Sequence, residues 1–173
     1  TFGVNDPYGV SWTANNIVLT NGAILSLTNN PSMPDVNGAG NLVLADSTIS
    51  VSVQSAPYAA PVTIAGNLTV SGMNVISLSG VGLTSGTSFP VIDYTGTPVP
   101  TNNFTLILPP GSNGYLTNNA ANTSLDVVVT ASGQNLAWHG TYDGSVQLTN
   151  WDINTSENWH DTLYTPSKYM QYD

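Results

Sequence analysis

Two histidines and a scatter of carboxylates are the only side chains in this sequence that could carry acid–base chemistry. His139 and His160 each stand beside a tryptophan near the C-terminus. They lack the i, i+4 helical spacing of a zinc pair. No G-x-S-x-G elbow accompanies them, so a Ser-His-Asp arrangement has no framework. Asp93 and Asp126 fall within β-prone runs. Paired carboxylates hydrolyse glycosidic bonds when they converge on one groove. Acids that act on uronic sugars also need a cation to neutralise the sugar carboxylate. The chain has no Arg, and its one Lys is Lys168. Asp93 therefore reads as a solvent-facing or turn-capping residue, and the chain as a non-enzyme with no catalytic residue. A polysaccharide lyase or hydrolase is the weakest alternative.

Metal chemistry is equally sparse. Asp143, Asp152 and Asn154 could offer oxygen ligands to calcium. The D-x-D-x-D-G loop and the nonapeptide calcium repeat are both missing. No metal and no cofactor is expected. The chain has no cysteine, which removes disulfides, thiolate zinc sites and Cys nucleophiles. Four N-glycosylation sequons begin at Asn67, Asn103, Asn122 and Asn154. In so Asn-rich a chain they carry little information.

Aromatic residues make the more distinctive constellation. Three of the four Trp and four of the eight Tyr lie between Leu136 and Asp173. Trp138, Tyr142, Trp151, Trp159, Tyr164, Tyr169 and Tyr172 are candidates for an interface between units, or for stacking on sugar rings.

The elements that position these residues are strands. Charged residues make up 6% of the chain, against about 25% in ordinary globular domains. The surface must be built from Ser, Thr, Asn and Gly, and ion pairs cannot hold the fold. A net charge of −9 with a single basic residue argues against nucleic acid and disfavours anionic membrane surfaces as partners. No run of apolar residues is long enough to span a bilayer as a helix.

Short β-prone runs recur from Ile17 onward, punctuated by Gly, Asn, Ser and Pro. Leu25 and Leu27, Ile49, Val51 and Val53, Val62 and Ile64, Leu68 and Val70, and Ile76 and Leu78 alternate with polar residues. Period two places each set on one face of a strand. No segment carries a helical apolar period. The connectors often lack two-residue hairpin turns, which favours a solenoid of stacked coils over a β-sandwich. Asn21-Gly22, Asn37-Gly38, Gly40-Asn41, Gly66-Asn67 and Gly72-Met73-Asn74 precede strands, as coil corners would. Asn side chains stacked at such corners can bond between coils.

Residues 1–88 are thus read as solenoid coils. Residues 89–135 carry longer strands, broken at Pro98, Pro100 and Pro109-Pro110-Gly111. They read as a β-meander closing the solenoid end, where an open edge would invite uncontrolled pairing. Residues 136–173 read as an aromatic-rich junction to a following unit. Both ends look like cuts in a longer polypeptide or the edges of a mature product.

Five motifs occur in order: G-x-x-F-x-V-I-D-Y-T-G (Gly86 to Gly96), F-T-L-x-L-P-P (Phe104 to Pro110), N-N-A-A-N-T-S-L-D-V-V-V-T (Asn118 to Thr130), L-A-W-x-G-x-x-x-G (Leu136 to Gly144) and W-D-I-N-T-x-x-N-W (Trp151 to Trp159). This series resembles the autotransporter-associated β-strand repeat proteins, large secreted bacterial proteins with pectin-lyase-like β-helices. The resemblance implies a right-handed parallel β-helix, an extracellular or cell-surface location and a chain that is one unit of an array. It supplies no catalytic motif. The combined expectation is a structural segment of an extracellular fibre, stalk or surface layer. Its partners would be copies of itself or neighbouring repeats of the same polypeptide. An adhesin or carbohydrate-binding module, with extracellular polysaccharide as partner, is the alternative.

Overall fold

Alternating aliphatic and hydroxyl residues can bury one face of a strand while wetting the other. When every strand does so, the coils wrap a common core. A computed structural model describes residues 2–4, 12–29, 33–38, 40–53, 59–80, 83–133, 137–138, 159–160 and 166–167. The chain divides into two compact units, Thr1–Ala131 and Ser132–Asp173.

The first unit is a β-solenoid. A leading strand, β1 (Phe2–Val4), precedes a first coil of β2 (Trp12–Ala14), β3 (Ile17–Thr20) and β4 (Ile24–Thr28). The second coil is β5 (Val36–Gly38), β6 (Leu42–Ala45) and β7 (Thr48–Ser52). The third is β8 (Val62–Ser71) and β9 (Asn74–Ser79), and the fourth is β10 (Ser88–Thr95) and β11 (Phe104–Ile107). A hairpin of β12 (Asn113–Asn119) and β13 (Ser124–Ala131) follows.

Stacking the coils makes three sheets. Sheet A runs β1-β4-β7-β9-β11, every pair parallel. Sheet B runs β2-β5-β8-β10-β13-β12; it is parallel as far as β10, and antiparallel where β13 joins β10 and β12 joins β13. Sheet C joins β3, β6 and the second half of β8 in parallel. Parallel pairing on all three sides settles the architecture as a solenoid rather than a sandwich. Among the described residues the one helical element is a 3-10 turn at Thr101–Asn103.

Register aligns like with like. Leu25, Ile49 and Ile76 stack inward on sheet A, as do Leu27, Val51 and Leu78, and all six are buried. Val36, Val62, Ile92 and Leu125 form the matching stack on sheet B, and Ile17, Leu42 and Leu68 that on sheet C. Burying each such side chain stabilises by about 1.5–3 kcal/mol. Outward positions repeat too, with Ser26, Ser50 and Ser77 on one row of sheet A.

The corners are hydrogen-bonded from coil to coil. Asn16 Oδ1 accepts the Asn41 N–H at 2.9 Å, and Asn41 Oδ1 accepts the Asn67 N–H at 2.8 Å. The asparagine ladder expected from sequence is present, but each rung joins a side chain to the next backbone rather than two side chains. Beside it, Gly66 N–H donates to the Gly40 carbonyl at 3.0 Å. At the next corner Asn21, Asp46 and Gly72 all adopt the left-handed region, with φ of 55°, 51° and 63°. Asn, Asp and Gly tolerate that conformation best.

Three details differ from the sequence reading. Pro61 to Ile64 and Asn67 to Val70 were expected as separate strands; β8 runs through both, because the Gly66–Gly40 bond carries the ladder around the corner. Asn37-Gly38 is not a turn before a strand but the end of β5, where a Cβ on Gly38 would come within 2.8 Å of the Ile64 side chain. Parallel stacking also continues past residue 88, since β10 pairs with β8 and β11 with β9. The antiparallel closure begins only at β13.

Closure of this end takes a different form on each side. On sheet C no fourth rung forms; the chain crosses from Gly96 to Asn103 through Pro98 and Pro100, which have no N–H to offer an edge. Thr95 Oγ1 donates to the Ala65 carbonyl and Asn103 Nδ2 to the Gly72 carbonyl, clamping the crossing at both ends. Val99 in its middle is buried. Tyr94 Oη donates to Asn118 Oδ1 at 3.1 Å and Asn118 Nδ2 donates to the Val99 carbonyl at 2.8 Å, tying the crossing to the hairpin.

The second unit contains a small antiparallel sheet of β14 (Ala137–Trp138), β15 (Trp159–His160) and β16 (Pro166–Ser167).

Candidate functional site

Aromatic and acidic side chains were the two constellations that sequence offered, and the structure places part of each. In the second unit Trp138 on β14 stands opposite Trp159 on β15, and Ala137 opposite His160. Two tryptophans twenty-one positions apart are thus brought to one rung. Tyr142, Trp151, Tyr164, Tyr169 and Tyr172 lie outside the described residues, as do His139, Lys168 and the calcium candidates Asp143, Asp152 and Asn154. Among the described residues no group of three His, Cys, Asp or Glu is placed to hold a metal ion.

The acidic constellation lies on the outward face of sheet B, where the hairpin joins the last coil. Asp93 on β10 is opposite Thr63 on β8 and Ser124 on β13. Asp126, two residues along β13, is opposite Pro90 on one side and Thr117 on the other. The β10–β13 register shifts between Pro90 and Ile92, a bulge at this seam. Asp126 is only 6% exposed although it faces outward. Its Oδ1 accepts from Ser124 Oγ at 2.5 Å and its Oδ2 from Asn119 Nδ2 at 3.0 Å. Both oxygens are therefore engaged, which offsets the desolvation of the carboxylate.

Asp93 is partly buried and has no such pair of donors among the hydrogen bonds described. Burial in the seam, and secondarily the negative charge of Asp126, push its carboxyl above the usual carboxylate range. The sequence offers the two acids as a candidate carboxylate pair on strands, set aside for want of a cation, and reads Asp93 as turn-capping or solvent-facing. It lies within β10, and the tertiary fold makes the pair. No local signal could have found this, because the β10–β13 register is a long-range property.

Chemically, the pair has no partner of opposite charge among the described side chains. Asp126 is covered and both its oxygens are occupied, so it cannot reach a glycosidic oxygen without breaking its own bonds. One of the sequons is likewise engaged, since Asn103 spends its amide nitrogen on the Gly72 carbonyl. No family model, curated protein or solved structure matches the chain.

Proposed function

We propose that this chain is a non-enzymatic structural segment of an extracellular bacterial fibre, stalk or surface layer, of the autotransporter-associated repeat type that its motifs resemble. The observation that carries the reading is the continuity of sheet A. Five strands stack in parallel from β1 to β11 over a sealed aliphatic core, with neutral residues on the outer rows. Such a body gains rigidity from backbone ladders and from core stacks, and needs no salt bridge to do so.

Assembly with copies or neighbouring repeats would use backbone pairing at sheet edges, which suits a surface almost free of charge. The most open edge at the hairpin end is β11, whose one described strand neighbour is β9 and whose Ile107 is exposed. Negative-stain electron microscopy of the purified chain across a dilution series tests the reading. Filaments or regular arrays that persist on dilution are expected. Dispersed single particles at every concentration would refute assembly by this chain.

A second reading, an adhesin or carbohydrate-binding module, is favoured by the Trp138–Trp159 register. Its test is a glycan array, with tryptophan fluorescence following any hit.

A further inference from the structure

The β12–β13 hairpin is tied to the solenoid chiefly through the antiparallel β10–β13 seam. Along that seam two carboxyl groups on adjacent strands share one outward face. We propose that Asp93 and Asp126, on adjacent strands of that seam, form an acid-tightened latch that fastens the β12–β13 cap to the last coil.

The geometry gives each acid a separate role. Asp126 is covered, and accepts from Ser124 and Asn119. Asp93 is the more accessible of the two and is the one that takes the proton. Every other group facing Asp93 among the described residues is neutral: Thr63 and Asn67 on β8, Ser124 on β13, and Thr117 and Asn119 on β12. Nothing there can compensate a second negative charge, so burial first, and then the charge of Asp126, act against ionising Asp93.

With Asp93 protonated, the seam carries the charge of Asp126 alone. With Asp93 ionised, two negative charges face each other at a bulged junction whose ladder is already interrupted. The direction of the Asp93 titration agrees, since its carboxyl is raised in the folded chain. A group raised on folding adds stability that is complete below its unfolded value, near pH 3.9 for Asp. That contribution is lost as pH rises through the higher folded value. The cap is therefore held most firmly in mild acid and least firmly at neutral and alkaline pH. Release would uncover the edge of β10, so pH would govern an edge available for pairing.

Hydrogen–deuterium exchange of the full chain between pH 4.5 and 8, corrected for intrinsic exchange rates, tests the latch. In the wild type, protection of β12 and β13 amides should fall with rising pH relative to β4 and β7 amides. The fall should be about tenfold for each pH unit separating the folded and unfolded titrations of Asp93. Asp93→Asn should abolish this relative fall and hold protection at its acid level. Asp46→Asn, at a distant corner, should leave the fall in place, which separates the latch from a general effect of net charge. If Asp93→Asn retains the wild-type slope, or if the hairpin and the coils lose protection in parallel, the proposal is overturned. Both outcomes are independent of whether the chain forms fibres.

Discussion

Replacing Asn74 with Ala should be among the most damaging single substitutions in the solenoid. Asn74 begins β9 and is 1% exposed. Its Oδ1 accepts from the Ser47 N–H at 3.0 Å and the Ser47 hydroxyl at 2.9 Å, while its Nδ2 donates to the Ser71 carbonyl at 3.0 Å. One side chain thus closes its own corner and binds the coil beneath it. In Asn74→Ala the Ser47 hydroxyl can rotate to another acceptor, but the Ser47 N–H and the Ser71 carbonyl cannot move. Each stranded group costs about 1–3 kcal/mol. With the small void added, the loss comes to about 3–5 kcal/mol, a large part of the ~5–15 kcal/mol that stabilises a typical domain. The assay is urea unfolding followed by far-UV circular dichroism, with exposed Asn102→Ala as control. At an m-value of about 2 kcal/mol/M the midpoint should drop by about 2 M. A loss under about 1 kcal/mol would refute the claim that this corner depends on Asn74, since water or a neighbour would then be satisfying both groups.

Two further substitutions probe the corners and the closure. Gly66→Ala should destabilise by about 1–3 kcal/mol in the same urea assay. The new Cβ would lie 2.7 Å from the Gly40 carbonyl oxygen and 2.5 Å from Asn41 Oδ1, forcing coils two and three apart at this corner. An unchanged midpoint would show that the corner is looser than its bonding implies. Replacing Pro98 and Pro100 together with Thr should restore N–H groups to the crossing that ends sheet C. Light scattering coupled to size exclusion should then show association that grows with concentration beyond that of the wild type. Identical profiles would mean that the prolines do not protect that edge.

How much of this could be read from the residues varies along the chain. The alternation at Ile49, Val51 and Val53 announces a strand with one buried face, and the structure buries all three. Asn41 and Asn67 announce corners, and they are corners. Asn37-Gly38 carries the same signal and is strand, because an inward glycine there makes room for Ile64 from the coil above. The same local residues therefore serve a turn or a tight packing position, and only the neighbouring coil decides which. Val36–Gly38 and Trp12–Ala14 are three residues long, too short for a period of two to declare itself.

By itself the sequence determined the class of solution. Its alternation demanded strands, its lack of Lys and Arg removed ion pairs, and its Asn and Gly supplied corners that tolerate left-handed backbone. Tertiary structure alone decided which strands are neighbours. Successive corners are bonded across 25, 26 and 27 residues. Because the connectors differ in length, no fixed repeat in the sequence reports the stacking. Hydrogen bonding between parallel strands is insensitive to side-chain identity, so register is chosen by the fit of Leu25 on Ile49 on Ile76 inside the core. That same choice brought Asp93 beside Asp126 and set Asn74 over Ser47. These contacts exist only once the coils have closed on one another.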